Sequence, residues 1–138
     1  AAEGAMAATV NAFFNEPGIP MMPTVVEYAK KFNPGVPQEK RLSRTVQAWS
    51  NVLGLWEAMK RADKAGTLTG ETILLKGFRT MKEFELGLGG ASLTYTDTDH
   101  RISGKVPVYE YKNGKFQRVT VVDLKGRWPD KWQSWLGW

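Results

Sequence analysis

The spacing of hydrophobic residues changes along the chain and divides it into a strand, a helical region and a β-rich region. Residues 3–10, EGAMAATV, are small and apolar with little polar alternation. This pattern is typical of a short strand buried on both faces, with a helix as the alternative. After a loop, Pro23 suits the first turn of a helix. The inward residues of this helix are predicted to be Val25, Val26, Ala29 and Phe32, and Asn33-Pro34-Gly35 is predicted to end it.

A long amphipathic helix is predicted from about Pro37 to Ala65. Its apolar stripe recurs at alternating steps of four and three and is widened by two further residues: Leu42, Val46, Trp49, Leu53 and Trp56, with Val52 and Leu55. Gly66 is suited to end this helix, because glycine readily adopts the left-handed conformation found just after a helix. Thr69 is predicted to cap a third helix, whose inward residues are Ile73, Leu74 and Phe78.

The periodicity changes towards β-structure after Met81. GLGG at 87–90 is predicted to be a hinge or a close approach of two backbones, followed by a strand in SLTYT, residues 92–96. Asn113-Gly114 lies inside the β-rich stretch 105–122. It predicts a hairpin, because a type I′ turn needs positive φ at both central residues.

The predicted order of strand, three helices, strand and hairpin indicates an α/β or α+β fold with few strands for so many helices. A buried first strand and helices that cover a sheet need more sheet than this chain supplies. The tail RWPDKWQSWLGW, residues 127–138, contains four of the six tryptophans. It is predicted either to pack as an aromatic clasp or to form a contact surface.

Composition is that of one globular domain: 138 residues, 42% hydrophobic and 24% charged. No apolar run approaches the ~20 residues that cross a bilayer. The chain has no cysteine, which excludes disulfides, thiolate metal sites and cysteine nucleophiles. A net charge of +5 permits a nucleic-acid or anionic-membrane partner, but the basic residues occur as dispersed pairs, which is more typical of solvated helix faces.

The only histidine lies in LTYTDTDHR, residues 93–101. A calcium loop would need further oxygen ligands and a distal glutamate, which the following residues lack, and zinc usually takes three or four protein ligands. No serine lies in the context of a nucleophile elbow. We therefore expect a turn in which Thr96, Asp97 and Asp99 bond local backbone amides and His100 and Arg101 lie on the surface or pair with the aspartates. A metal-dependent hydrolase at Asp97, Asp99 and His100 is the alternative.

The first turn of the long helix is a candidate anion site. RLSRTVQAW places Ser43, Arg44 and Gln47 near the amino end, where free amide groups and the helix dipole favour anions. Arg44 and Gln47 are three residues apart and share a face, so the guanidinium could grip a ligand carboxylate. A solvated first turn is the alternative.

Five segments, taken in order, carry a resemblance to a known family: AAEGAMAATVNAFFNEP, VVEYAKKFNP, AWSNVLGLWEAMKRADKAGTLTGE, GLGGASLTYTDTDHR and VYEYKNGKFQRV. Together they resemble the C-terminal portion of the type I periplasmic binding proteins, and most closely the branched-chain amino acid receptors of ABC transporters. The resemblance covers nearly all of residues 1–138.

This resemblance implies an incomplete part of a two-lobed α/β fold, with helices packed on a partial sheet and a C-terminal β-hairpin. Residues 1–20 would form a strand and crossover of the second lobe, and residues 21–104 the helices and strand of the first lobe. Residues 105–138 would return to the second lobe as the hairpin and tail. Because such a chain crosses between lobes, we expect it to belong to a longer protein or to receive strands from a partner chain.

The resemblance also implies a function: the extracytoplasmic solute-binding component of an ABC importer. Such a protein binds a small amino acid-like, carboxylate or amide ligand between two lobes and delivers it to a permease, without catalysis, metal or cofactor. Ser43, Arg44 and Gln47 become predicted ligand contacts. Arg44 occupies the region where amino acid receptors carry an aromatic residue, so an acidic, aromatic or urea-like solute is equally open.

The same family places the protein in the periplasm or another extracytoplasmic space, with a signal peptide expected upstream of this segment. No nucleic-acid partner is expected from it. The alternative from another class is a small basic nucleic-acid-binding domain that uses the tryptophan-rich tail.

Overall fold

In a computed structural model that describes residues 3–101 and 103–136, a three-stranded sheet gathers residues from both ends of the chain. Strand β1 (Met6–Ala8) pairs antiparallel with β2 (Lys105–Lys112), which pairs antiparallel with β3 (Lys115–Asp123). Helices lie between these strands in the chain and after them: α1 (Met22–Phe32), α2 (Ser43–Lys64), α3 (Gly70–Thr72), α4 (Leu124–Arg127) and α5 (Pro129–Trp132).

The predicted hairpin is present. Asn113 and Gly114 form its turn with φ values of 54° and 80°, which are the left-handed values that a type I′ turn requires. The register then pairs Lys112 with Lys115 and continues to Tyr109 opposite Arg118. Beyond this pair the register shifts between Val108 and Tyr109, where a bulge turns the strand.

The first strand is where it was predicted, but its predicted burial on both faces is wrong for the described residues. The Met6 side chain is 61% exposed, and Ala8 is exposed as well. The physical reason is that β1 lies at the edge of the described sheet, with β2 as its single neighbour.

Helix α1 begins near the predicted proline and ends before Asn33. Val25 and Ala29 are buried as predicted, whereas Phe32, which was predicted to face inward, is 70% exposed. Phe32 occupies the last position of the helix and stacks on Tyr28, with 5.6 Å between ring centroids.

Helix α2 begins at Ser43, later than the predicted start near Pro37. A short 3₁₀ turn, Gln38–Lys40, comes first, and Arg41 is extended. The Nη2 atom of Arg41 reaches the carbonyl oxygens of Ala29 and Val36, at 2.9 and 3.1 Å, and that of Asn33. This side chain therefore joins the residue before α2 to the end of α1 and to the loop that follows α1.

Helix α2 buries a different face from the predicted one. Val46 is buried as expected, but the other buried positions are small residues, Gly54, Ala58 and Ala62. The predicted stripe is wrong for the residues that are exposed: Leu42, Val52, Leu55 and Trp56, the last of them 57% exposed. The small residues let another segment approach closely, and a Cβ atom at Gly77 would overlap the carbonyl of Ala58.

Thr69 caps α3 as predicted and exchanges hydrogen bonds with Thr72. The helix continues as a π turn over Ile73–Gly77 and a 3₁₀ turn over Phe78–Thr80. Ile73 and Phe78 pack inward as predicted, against the cluster of Ala58, Met81 and Leu93. The inward prediction for Leu74 is wrong, because that side chain is 38% exposed.

The strand predicted at 92–96 is reduced to a single bridge between Phe84 and Leu93. A strand needs regular backbone hydrogen bonds along its length. Among the described residues, Leu93 pairs with Phe84 and the N–H of Tyr95 donates to the carbonyl oxygen of Met81 at 3.3 Å, which is not enough to extend the bridge into a strand. The close backbone approach predicted at 87–90 is present: a Cβ atom at Gly90 would lie 2.6 Å from the carbonyl oxygen of Val10. Gly87 and Gly89 have φ values of 70° and 68°, which other residues rarely adopt.

The tail packs as an aromatic clasp over part of its length. Trp132 is buried, and Trp128 and Trp135 meet edge to face with 5.9 Å between ring centroids. Trp138, the fourth tryptophan of the tail, lies outside the described residues.

Candidate functional site

Two segments connect the helical region to the sheet: the first connecting segment, residues 9–21, follows β1, and the second, residues 81–104, leads to β2. A cavity of about 390 Å³ lies between the middle of α2 and these connecting segments. Its walls are mainly apolar, from residues such as Leu55, Phe78 and Leu93. Small side chains on the cavity-facing side of α2 leave this space. The polar groups on its wall come from α2, from both connecting segments and from the first residue of β2: Asn11, Gln47, Ser50, Asn51, Tyr95, Ser103 and Lys105.

Asn11 is the polar group held most firmly at this cavity. It is 7% exposed, and its Oδ1 accepts a hydrogen bond of 2.7 Å from the Oγ of Ser50. The side chain lies against Gly90, where a Cβ atom would be 3.1 Å from Oδ1. The first connecting segment is therefore fastened to α2 at the wall of the cavity. Sequence reasoning missed Asn11, which stands in a loop without hydrophobic periodicity.

The three predicted ligand contacts are distributed unevenly around this cavity. Gln47 lines it, whereas Ser43 and Arg44 lie at the start of α2 outside its lining. Ser43 is half-buried and Arg44 is exposed. That these residues contact a ligand stays a prediction.

A second cavity, of about 260 Å³, lies beside the turn that contains Asp99. Arg101 binds both oxygens of Asp99 through one edge of its guanidinium, Nε to Oδ1 at 2.8 Å and Nη2 to Oδ2 at 3.0 Å. The indole nitrogen of Trp132 donates to Oδ2 at 2.7 Å, and the Arg101 guanidinium lies 3.8 Å from the centre of the Trp132 ring. These donors, with Arg101 the largest contribution, hold the pKa of Asp99 well below its usual range, against the opposing effect of burial.

The neighbours of Asp99 in the turn have separate surroundings. Asp97 is exposed and pairs with Arg79 at 2.9 Å, and His100 is exposed. The Oγ1 atom of Thr96 accepts a hydrogen bond of 2.8 Å from the backbone N–H of Asp99. Across residues 3–101 and 103–136, no three His, Cys, Asp or Glu side chains come together in a way that would hold a metal ion.

A third polar cluster joins β2 and β3 to the first connecting segment. Tyr109, on β2, is fully buried and donates a hydrogen bond of 2.8 Å from its hydroxyl to Oε2 of Glu16. Arg118, opposite it on β3, donates from Nε to Oε1 of Glu16 at 3.1 Å. Burial, and then the hydrogen bond to Glu16, raise the pKa of Tyr109 to about 12. Sequence reasoning missed this cluster.

The arrangement of a partial α/β unit, with a sheet drawn from both chain ends and a cavity beside the connecting segments, is that of part of a periplasmic binding protein fold. A branched-chain amino acid ABC transporter protein from Thermus thermophilus, solved with bound valine, matches with a TM-score of 0.71 and 23% identity over 86% of this chain. A leucine-binding protein from Thermotoga maritima matches with a TM-score of 0.57 and 18% identity over 90% of this chain.

These matches confirm the predicted resemblance and fold class at the level of the fold. The chain spans about a third of each matching structure, 32% in both cases. No protein-family model matches the sequence, and no curated protein matches it in sequence. Among the described residues, no helix is both long enough and apolar enough to span a membrane.

Proposed function

We propose that this chain is part of the solute-binding component of an ABC importer, which holds a small organic solute between two lobes. The observation that carries the proposal is the fold match over 86% of the chain at a TM-score of 0.71. The matched proteins bind or transport branched-chain amino acids according to their descriptions. The protein binds its solute and does not transform it, works outside the cytoplasm, and hands the solute to a membrane permease.

The lobe assignment is part of the same proposal. Residues 1–20 and 105–138 belong to the second lobe and residues 21–104 to the first. The assignment is supported by the sheet, which brings β1 together with β2 and β3, while α1 to α3 lie between them in the chain. The two connecting segments then form crossovers between lobes. A ligand that touches both lobes favours the closed state by its differential contacts, and the permease reads that state.

The ligand class follows from the cavity wall. A mainly apolar space with amide and hydroxyl groups at one side suits a small solute with an apolar body and one carboxylate or amide group. Gln47 is the proposed contact inside the cavity. Ser43 and Arg44, in the first turn of α2, are the other proposed contacts, and the exposed guanidinium of Arg44 can pair with a ligand carboxylate. Acidic, aromatic, amide and urea-like solutes are therefore candidate ligands, as are branched-chain amino acids.

The rest of the same protein, or a partner chain, is the proposed cover for the exposed face of α2. That face carries Val52, Leu55 and Trp56, all exposed among the described residues. A contiguous apolar face of this kind marks an interaction surface. If a sheet covers it, acrylamide is expected to quench Trp56 weakly in the intact protein, as judged from the emission that Trp56→Phe removes. Quenching of that emission as strong as quenching of free tryptophan would contradict the cover.

The nucleic-acid alternative depends on tail tryptophans that are free to stack on bases. Trp132 is buried, with its indole nitrogen bonded to Asp99 and its ring under Arg101. This packing favours the solute-binding proposal. Oligonucleotide binding that weakens steeply with salt would instead support the alternative.

A thermal-shift screen of the intact protein tests the proposal. The screen uses the twenty L-amino acids, their amides, dicarboxylates, benzoate and urea, and a bound solute raises Tm by mass action. We then expect Gln47→Ala to weaken calorimetric affinity for the best solute about tenfold, while Gln133→Ala, an exposed glutamine of the tail, leaves it unchanged. Failure of every solute to raise Tm would contradict the proposed function. Unchanged affinity in Gln47→Ala and Arg44→Ala would contradict the proposed contacts.

A further inference from the structure

Among the described residues, Arg118 is the residue of the sheet whose side chain hydrogen-bonds to both connecting segments. Its Nη2 donates to the carbonyl oxygen of Gly89 at 2.7 Å, and its Nε donates to Glu16 at 3.1 Å. The same Nη2 lies 2.6 Å from the hydroxyl oxygen of Tyr109. Glu16 belongs to the first connecting segment, which follows β1, and Gly89 to the second, which leads to β2.

The packing around these atoms leaves little freedom. A Cβ atom at Gly89 would lie 2.9 Å from Nη2 of Arg118 and 2.8 Å from the Cβ of Ala12. Phe13 meets the Tyr109 ring edge to face, with 4.8 Å between centroids, and stacks on Phe116 at 4.7 Å. The two connecting segments and the hairpin therefore meet at the guanidinium in one tightly packed place.

Gly89 also has a backbone conformation that few other residue types adopt. Its φ of 68° is a value that glycine adopts without strain, and Gly87 nearby has a φ of 70°. Residues that absorb φ/ψ changes during domain closure are often of this type. The hydrogen bond from Arg118 fixes the carbonyl of Gly89 in relation to Glu16, which lies on the other segment.

We propose that Arg118 is a positioning residue that couples the two connecting segments and so sets the equilibrium between open and closed lobes. This inference rests on the proposed function, since closure requires two lobes. A planar guanidinium can serve the Glu16 carboxylate, the Gly89 carbonyl and the Tyr109 hydroxyl together, because its donors diverge in a fixed plane. A lysine ammonium keeps the charge but not this geometry, so Arg118→Lys removes the coupling with little change in charge.

The role is tested in the intact protein with one spin label in each lobe. We expect Arg118→Lys to broaden the distance distribution between labels in the ligand-free state. We also expect it to weaken affinity about fivefold for L-valine, or for the screened solute with the largest Tm rise, because the closed state is less well defined. Arg127→Lys is the matched control, since Arg127 is exposed and pairs with no carboxylate among the described residues. Glu16→Gln keeps the side-chain volume and is expected to act in the same direction.

The outcomes separate the two proposals. A wild-type protein that binds none of the screened solutes contradicts the proposed function, and the ligand-free distance distribution still decides the role of Arg118. An unchanged distribution in both Arg118→Lys and Glu16→Gln overturns that role, whether or not a solute binds. If Arg118→Lys does not fold, as judged by circular dichroism, Glu16→Gln alone decides. A broadened distribution in Arg127→Lys as well would also overturn it, because the effect would not be specific.

Discussion

The indole nitrogen of Trp132 donates a hydrogen bond of 2.7 Å to Oδ2 of Asp99, which lies 33 residues earlier in the chain. Arg101 completes the contact by binding both oxygens of that carboxylate and covering the Trp132 ring. It also donates from Nη1 to the carbonyl oxygen of Trp132 at 2.6 Å. The residues around the only histidine thus tie the tail of the chain to the turn before β2.

Asp99→Asn is expected to lower the free energy of unfolding by about 1–3 kcal/mol, because it leaves buried donors of Arg101 and Trp132 without their anionic acceptor. Asp97→Asn is the matched control: the Asp97 side chain is 80% exposed, and its pairing with Arg79 is worth little in water. Denaturant unfolding of the intact protein measures both. Equal effects of the two substitutions would contradict the structural importance of Asp99.

The stability that Asp99 provides is expected to depend on pH in the acid range. Its pKa is lowered in the folded protein, so its contribution is fully present above the unfolded-state pKa of about 3.9 and is lost as the pH falls through the folded value. The difference in unfolding free energy between wild type and Asp99→Asn should stay constant from pH 5 to 8 and shrink below about pH 4. A difference that grows on acidification would show the opposite linkage.

Tyr109 is expected to titrate above the range that is usual for a tyrosine. Its pKa of about 12 lies above the ordinary value near 10, so it favours the folded state below pH 10 and this contribution is lost as the pH rises through 12. Absorbance at 295 nm follows tyrosinate formation in the folded protein. Tyr109→Phe should remove the step near pH 12, while Tyr28→Phe, at an exposed position, should leave that step in place.

Gly77→Ala is expected to destabilise the protein by about 1–3 kcal/mol, because the added methyl group would overlap the backbone of Ala58 and push α2 away. Gly35→Ala is the control, since a Cβ atom there would meet nothing within 4 Å. Denaturant midpoints measure both substitutions. Equal midpoints for Gly77→Ala and wild type would show that α2 and the π turn separate without cost.

Local signals in the sequence were sufficient for several elements. Asn113-Gly114 determines the hairpin turn, and counting residues back from it places Tyr109 opposite Arg118, as the register shows. Thr69 and Gly66 mark helix ends through their own backbone preferences. The pairing of Tyr109 with Arg118 could therefore have been predicted from the sequence. Glu16 was not, because it lies in a connecting segment without periodicity.

Tertiary contacts, which local sequence patterns do not reveal, determine which face of α2 is buried and how residues 92–96 are paired. The large residues of α2 formed the more obvious stripe, but the small residues Gly54, Ala58 and Ala62 are buried, and at Ala58 the small side chain allows the close approach of Gly77 in the π turn. The strand predicted at 92–96 also depended on tertiary neighbours, and among the described residues its backbone pairs with Phe84 and Met81 at isolated positions. Helical spacing could predict that Arg44 and Gln47 share a face of α2, whereas the cavity that Gln47 lines depends on how the connecting segments pack.

The contact between Arg118 and Glu16 also has a consequence for the order of folding. These residues are 102 positions apart, so their ion pair closes one of the longest loops in the chain and brings a large loss of chain entropy. Contacts of this separation slow folding when they must form early. We expect this one to form after the hairpin, which closes through its own two-residue turn. Substitutions at Arg118 would then speed unfolding more than they slow folding. The contact would thus slow the unfolding of the native protein without determining how fast it folds.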